Sequence, residues 1–311
     1  MWKLSSGTLV EEQMMKLAIT KDHEHLCHSL LMDVRDSCWK EYFSSAEIDE
    51  IRRYEAIELP DLPVDVKAYM DELTATPRSE LFEKINQAFH PANTDKYWIQ
   101  DTYNNCARLA QSGFYPLNDV TEQGLGRRIW SCVDKCFDFS RIRCLTGEKC
   151  SKASADAANS VRSPSDFSRQ QTGRKMDYLF KTKDSYKEIG CGECALVGGV
   201  NTTKKFQDAG FKMPKVMRDM LAKIVSRSPA VGYVTRYDAF NSVITYPVIE
   251  AEIRSEMPDV LTMILSTRTI METAKKTIED DESKPSLGRN MPVVMEPCFV
   301  PVGVNSKKRK Q

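Results

Sequence analysis

Apolar residues recur at helical spacing from Val10 to about Met32, which predicts a helix there. Ser44 followed by Glu47 forms a capping-box sequence and opens a helix through about Glu58, with Pro60 and Pro63 beyond its end. Val64 to Leu73 predicts another short helix. Thr76-Pro77 starts one that runs to about Phe89, where His90 and Pro91 stop it. Tyr97 to Gln111 continues in the same style until Gly113 and Pro116. Residues 1–115 therefore read as a helical module.

Asp119 to Phe137 predicts a further helix, because Val120, Ile129, Val133 and Phe137 fall at core spacing, although Gly124 and Gly126 weaken it. Residues 145–173 are rich in Ser, Ala, Gln and Lys and read as a long exposed loop. The apolar period then shortens to two. Lys175 to Phe180 and Tyr186 to Val197 predict two strands joined by a polar turn. A helix from Lys204 to Ser226, strands at Ala230–Arg236 and Phe240–Ile249, and a closing helix from Pro258 to Asp280 follow. This order predicts an α+β domain over residues 116–282. Residues 283–311 form a polar, basic-ended tail.

The chain has 44 basic and 44 acidic residues, so it is no generic polyanion binder. Its charge is uneven, however. Arg162 to Lys187 holds seven basic and three acidic residues, and Lys204 to Arg227 holds seven and two. Such a local basic surface suits phosphates, and DNA or RNA is the partner it suggests. No apolar run approaches a membrane span, so no membrane partner is expected. Met1 to Thr20 lacks the compact apolar core of a secretory signal. The ten cysteines are accordingly read as reduced, in cytoplasm or nucleus. The closing run Lys307, Lys308, Arg309, Lys310 is either a nuclear import signal or a solvated tail.

The two predicted strands carry acids. Alternate strand residues share a face, so Asp177 lies with Lys175 and Leu179, and Glu193 with Ile189, Cys191 and Ala195. Glu188 points the other way unless Gly190 or Gly192 admits a bulge. Pairing across the hairpin would bring Asp177 and Glu193 together. Two carboxylates that close repel unless a cation separates them, and a hard ion such as Mg²⁺ takes such an oxygen pair. Beside a phosphodiester, that ion would polarise the phosphoryl oxygen and activate water. The plain alternative leaves both acids at strand ends, solvated or paired with Arg174 or Lys175.

Glu122 in a helix, the Ser/Ala/Lys-rich stretch, "GRKMDYLF", "YKEIGCGECA" and the basic helix together resemble the PD-(D/E)XK superfamily over about residues 117–280. Within it they resemble fungal proteins with a GRKxD strand followed by an ExGxxE strand. The resemblance implies a restriction-endonuclease-like mixed sheet flanked by helices, and Mg²⁺-dependent phosphodiester hydrolysis. It makes Asp177 and Glu193 the catalytic, metal-holding acids and Glu122 a third metal ligand. The superfamily's lysine, two residues after its second acid, is replaced here by Ala195. The expected substitute is Lys175, or Lys204 or Lys205 from the next helix. Arg174, Lys204, Lys205 and Lys212 are expected to meet nucleic-acid phosphates. A non-catalytic interaction or scaffold protein that retains only the fold is the alternative.

Cys191 and Cys194 form a CxxC, but in a strand they face opposite ways. Cys132, Cys136, Cys144 and Cys150 lack a familiar zinc spacing and read as buried thiols. In "HEHLCH", His23, His25, Cys27 and His28 would spread around a helix axis, so no ligand cluster is expected there.

Overall fold

Ser44 and Glu47 close the capping box that the sequence announces. The Glu47 N–H donates to Ser44 Oγ (3.3 Å), the Ser44 N–H donates to Glu47 Oε2 (2.8 Å), and helix α2 (Ser45–Arg53) follows. The computed structural model describes residues 1–54, 59–87, 93–117, 120–160, 169–194, 208–226, 246–247 and 249–283. Helix α1 (Val10–Thr20) ends well before Met32. The chain breaks at the polar run after it and continues as two 3₁₀ turns, Leu26–Ser29 and Ser37–Glu41. The first turn is capped by His25 and terminated by Leu30 in the left-handed region (φ 53°). Leu4, Met14, Leu17, Trp39, Phe43 and Ile51 pack into a small cluster of their own.

Helices α3 (Val64–Ala75), α4 (Arg78–Gln87) and α5 (Thr94–Gln111) follow. Their buried side chains, among them Leu73, Ile85, Ile99 and Tyr103, join the main core. The same cluster takes in Ile142, Tyr178 and Phe180 of the sheet, and Met257, Leu261 and Leu265 of the last helix.

The single helix expected over Asp119–Phe137 is two, α6 (Glu122–Arg128) and α7 (Ser131–Lys135), broken where Trp130 leaves helical geometry (ψ 5°). The loop expected over 145–173 is also corrected. Strand β1 (Ile142–Cys150) and helix α8 (Lys152–Ser160) occupy its first half. Only Ile142 of β1 is buried, so the strand is held by its ladder to β2 rather than by an apolar face. β2 (Lys175–Thr182) and β3 (Glu188–Gly192) complete an antiparallel sheet in the order β1-β2-β3. Where a mixed sheet was expected, all described strands run antiparallel; most of the two later predicted strands lies outside the described residues. Tyr246, Pro247 and Ile249 are described and are not in a strand. The tail from residue 284 also lies outside.

A π-helical turn (Asp208–Lys212) leads into α9 (Met213–Val225), which packs on β3 and α8. Val216 and Met220 of α9 bury against Leu179, Met176 and Ala153. The long α10 (Ile253–Glu282) starts five residues before Pro258, which sits inside it. Its Arg268 pairs with Asp95 at the start of α5 (2.8 Å). The fold is thus α+β, a small antiparallel sheet with helices before, between and after its strands. No helix among the described residues is long and apolar enough to cross a membrane.

Candidate active site

The ladder between β2 and β3 decides which acids share a face. Tyr178 pairs with Gly192, Leu179 with Cys191 and Phe180 with Gly190. A register shift then sets Lys181 opposite Glu188. That bulge turns Glu188 onto the face of Leu179 and Cys191, the side covered by α8 and α9. One step beyond the Tyr178–Gly192 pair stand Asp177 and Glu193, so all three acids belong to one side of the hairpin.

Glu188 has a structural task. Its buried carboxylate accepts from Ser151 Oγ (2.8 Å), Lys152 N–H (2.8 Å) and Ala153 N–H (2.9 Å), and pairs with Lys181 (3.2 Å). It thereby satisfies amides that α8 cannot satisfy within its own first turn. Burial pushes its pKa up, but the Ala153 and Lys152 amides, the Ser151 hydroxyl and Lys181 outweigh that and hold it below the usual carboxylate value.

Asp177 and Glu193 meet different partners. The Cys194 N–H donates to Asp177 Oδ2 (2.8 Å). Lys212 Nζ, from the turn that opens α9, lies 2.8 Å from Glu193 Oε1, and the Glu193 side chain is only 6 % exposed. Gly173, which begins the "GRKMD" stretch, passes so close to α8 that a Cβ there would lie 1.8 Å from the Ser151 carbonyl oxygen. The neighbouring Ser151 N–H donates to Arg174 O (2.9 Å). The first acid strand is therefore seated on the start of α8.

The remaining expected site residues are scattered. Lys175 is exposed and pairs with Glu148 of β1 (3.0 Å), not with Asp177. Glu122 stands at the first position of α6, after the Thr121 cap. Lys204, Lys205 and Ala195 lie outside the described residues. Lys212 was expected to meet phosphates, yet it turns toward Glu193, and Lys215 and Arg218 of the same basic stretch are buried. Lys215 is 2 % exposed, lies 4.1 Å from the Phe211 ring centroid and pairs with Glu24 of the N-terminal segment. Arg218 lies 3.9 Å from its neighbour Asp219. Burial pushes Asp219 up to about 6 against the opposing pull of Arg218, Arg174 and Lys215. The spacing of Lys212, Lys215 and Arg218 was itself the missed signal. Steps of three keep them on one helical face, beside the buried Val216.

A cavity of about 230 Å³ lies on the hairpin beside Lys152, Lys181, Lys187, Glu188 and Lys223, and neither Asp177 nor Glu193 lines it. No third described His, Cys, Asp or Glu joins Asp177 and Glu193 in a tight group. The one such trio among the described residues is His25, Asp36 and Cys38. The nine described cysteines are free thiols, and burial pushes the Cys132, Cys144 and Cys191 thiols far up.

Comparison with protein-family models, curated proteins and solved structures finds no match to this chain.

The donor set at the strand ends suits a hard cation. Both acids offer oxygen, and an oxygen already in one hydrogen bond or ion pair retains lone-pair capacity for an ion.

Proposed function

We propose that this protein is a divalent-metal-dependent phosphodiesterase of the restriction-endonuclease-like type. Asp177 and Glu193 would hold Mg²⁺, with Glu122 the further candidate acid. Lys212 takes the role of the lysine that Ala195 replaces. One observation carries this reading: the Lys212 ammonium is 2.8 Å from Glu193 Oε1, one residue past the Tyr178–Gly192 pair at the end of the ladder. The acid-bearing hairpin also lies between two helices, α8 before it and α9 after it, in an order of helix, strand, helix, two strands, helix. When bound, the ion supplies Lewis-acid polarisation of a phosphoryl oxygen and a more acidic water. The chain's own contribution is to orient the acids, through the Cys194 amide on Asp177, and to aim one ammonium at developing negative charge.

A second reading, a non-catalytic interaction protein, draws on the inward turn of Lys212, Lys215 and Arg218, which removes a basic stripe from the described surface of α9. Cleavage of supercoiled plasmid and of single- and double-stranded oligonucleotides with Mg²⁺ or Mn²⁺ separates the two. The expected result is cleavage that falls about 100-fold or more in Asp177→Asn, Glu193→Gln and Lys212→Met. A protein that cleaves nothing, and whose melting temperature shows no Asp177-dependent rise with millimolar Mg²⁺, is the scaffold.

A further inference from the structure

The "HEHLCH" stretch does not form one helix, and the change of geometry creates a ligand set. His25 is the N-cap of the first 3₁₀ turn, and the Cys27 N–H donates to its Nδ1 (3.2 Å). Asp36 is the N-cap of the second, and the Cys38 N–H donates to its Oδ1 (3.0 Å). Two copies of one local arrangement, a cap residue followed two positions later by cysteine, thus face each other. His25 Nε2 lies 3.1 Å from Asp36 Oδ2, and ligand atoms of His25, Asp36 and Cys38 all lie within 4.8 Å of one another.

We propose that His25, Asp36 and Cys38 bind a zinc-class ion, with water in the fourth position. Nitrogen, carboxylate and thiolate donors together select zinc over Mg²⁺ or Ca²⁺. The 3.1 Å between His25 Nε2 and Asp36 Oδ2 fits as well. Around a tetrahedral zinc, nitrogen and oxygen ligands stand about 3.3 Å apart, and nitrogen and sulfur about 3.6 Å. The His25 side chain is 17 % exposed and Asp36 34 %, so the ion has a path in from solvent.

The surroundings orient the ligands. Without metal, one His25 tautomer donates from Nε2 to Asp36 and accepts the Cys27 amide at Nδ1. With metal on Nε2, the imidazole proton moves to Nδ1, where Cys27 Sγ lies at 3.0 Å as acceptor and the Cys27 N–H gives up its bond to that nitrogen. The Cys38 thiol releases its proton to solvent as the sulfur–metal bond forms. His28 is not a ligand: its Nδ1 accepts the His25 N–H (3.0 Å) and its Nε2 donates to Ala18 O (2.9 Å), which anchors the loop on α1. The site would staple a segment that has only a small apolar cluster and no disulfide.

Cobalt substitution tests this on the full chain after chelation. One equivalent of Co²⁺ should give tetrahedral d–d bands with a thiolate charge-transfer band. Cys38→Ser should remove the charge-transfer band, and His25→Ala should weaken binding at least about 10-fold. Cys27→Ser should keep one equivalent but bind about 10–100-fold more weakly, as expected of an outer partner. Asp177→Asn should leave every band unchanged, which separates this site from the acids of the hairpin. Melting curves in chelator, equal for unmutated protein and Cys38→Ser, show that the variant folds. No charge-transfer band in the unmutated protein, or one that survives Cys38→Ser in full, overturns the proposal.

Discussion

Replacing Glu188 by alanine removes the acceptor of three hydrogen bonds and the partner of Lys181 at once. Hydrogen bonds to a charged group contribute about 1.5–3 kcal/mol each, but the three share one carboxylate and are not additive. Breaking a buried pair by deleting one partner costs about 3–5 kcal/mol, and water entering the space left by the side chain recovers part of that. The expected loss for Glu188→Ala is therefore about 3 kcal/mol. Glu188→Gln keeps the shape and one acceptor oxygen, loses the charge, and should lose about 1–2 kcal/mol. Because the folded-state pKa is depressed, the carboxylate's contribution is complete above the unfolded value near 4.5. It disappears as pH falls through the lower folded value, so the gap between the parent and the Glu188→Gln variant should close in strong acid. Urea denaturation at pH 7 and pH 3 measures this, and hydrogen exchange at the Lys152 and Ala153 amides reports the helix start directly. A Glu188→Ala protein within about 0.5 kcal/mol of the parent at pH 7, the range of an ordinary surface change, with both amides still protected, would refute the capping role.

Gly173→Ala would place a methyl against the Ser151 carbonyl, backbone on backbone, so the strand must shift. We expect a loss of more than about 2 kcal/mol in urea, or no soluble protein, and a neutral substitution would contradict the seating of β2 on α8. Asp219 has a raised folded-state value near 6, so its ionisation opposes folding as pH rises from about 4 to 6. Asp219→Asn should therefore melt higher than the parent at pH 8 and lose that advantage below pH 4. A lower melting temperature at pH 8 would mean that attraction to Arg218, Arg174 and Lys215 outweighs burial.

Elements whose signals lie within a few residues were legible in the sequence: the Ser44–Glu47 box, the helices around Leu73 and Tyr103, and the hairpin carrying Asp177. What escaped depends on distant partners. β1 shows no apolar alternation because only Ile142 is buried, and α8 starts on a carboxylate 36 residues downstream of Lys152. Lys212 and Lys215 read as a solvated basic face because their acids, Glu193 and Glu24, lie 19 and 191 positions away. "HEHLCH" read as no ligand cluster because a helix would scatter its side chains, whereas the 3₁₀ turn sets His25 against Asp36. Of the candidate site, strand alternation placed Asp177 on the face of Leu179 and Glu193 on that of Cys191, and those two residues pair in the ladder. The lysine beside it was named for a different task.

The Glu24–Lys215 contact bears on how the chain can be divided in the laboratory. Composition and apolar clustering both invite a cut after residue 54, which would leave a shorter protein with its main core whole. Such a cut also deletes the acid opposite an ammonium that is 2 % exposed. The truncated protein would then lose that pair, at a cost of up to about 3–5 kcal/mol to the extent that Lys215 stays covered, set against a total of about 5–15 kcal/mol for a typical domain. Poor yield of that fragment would say little about whether the two parts are separate units. The same fragment with Lys215→Met, freed of the charge, asks that question cleanly.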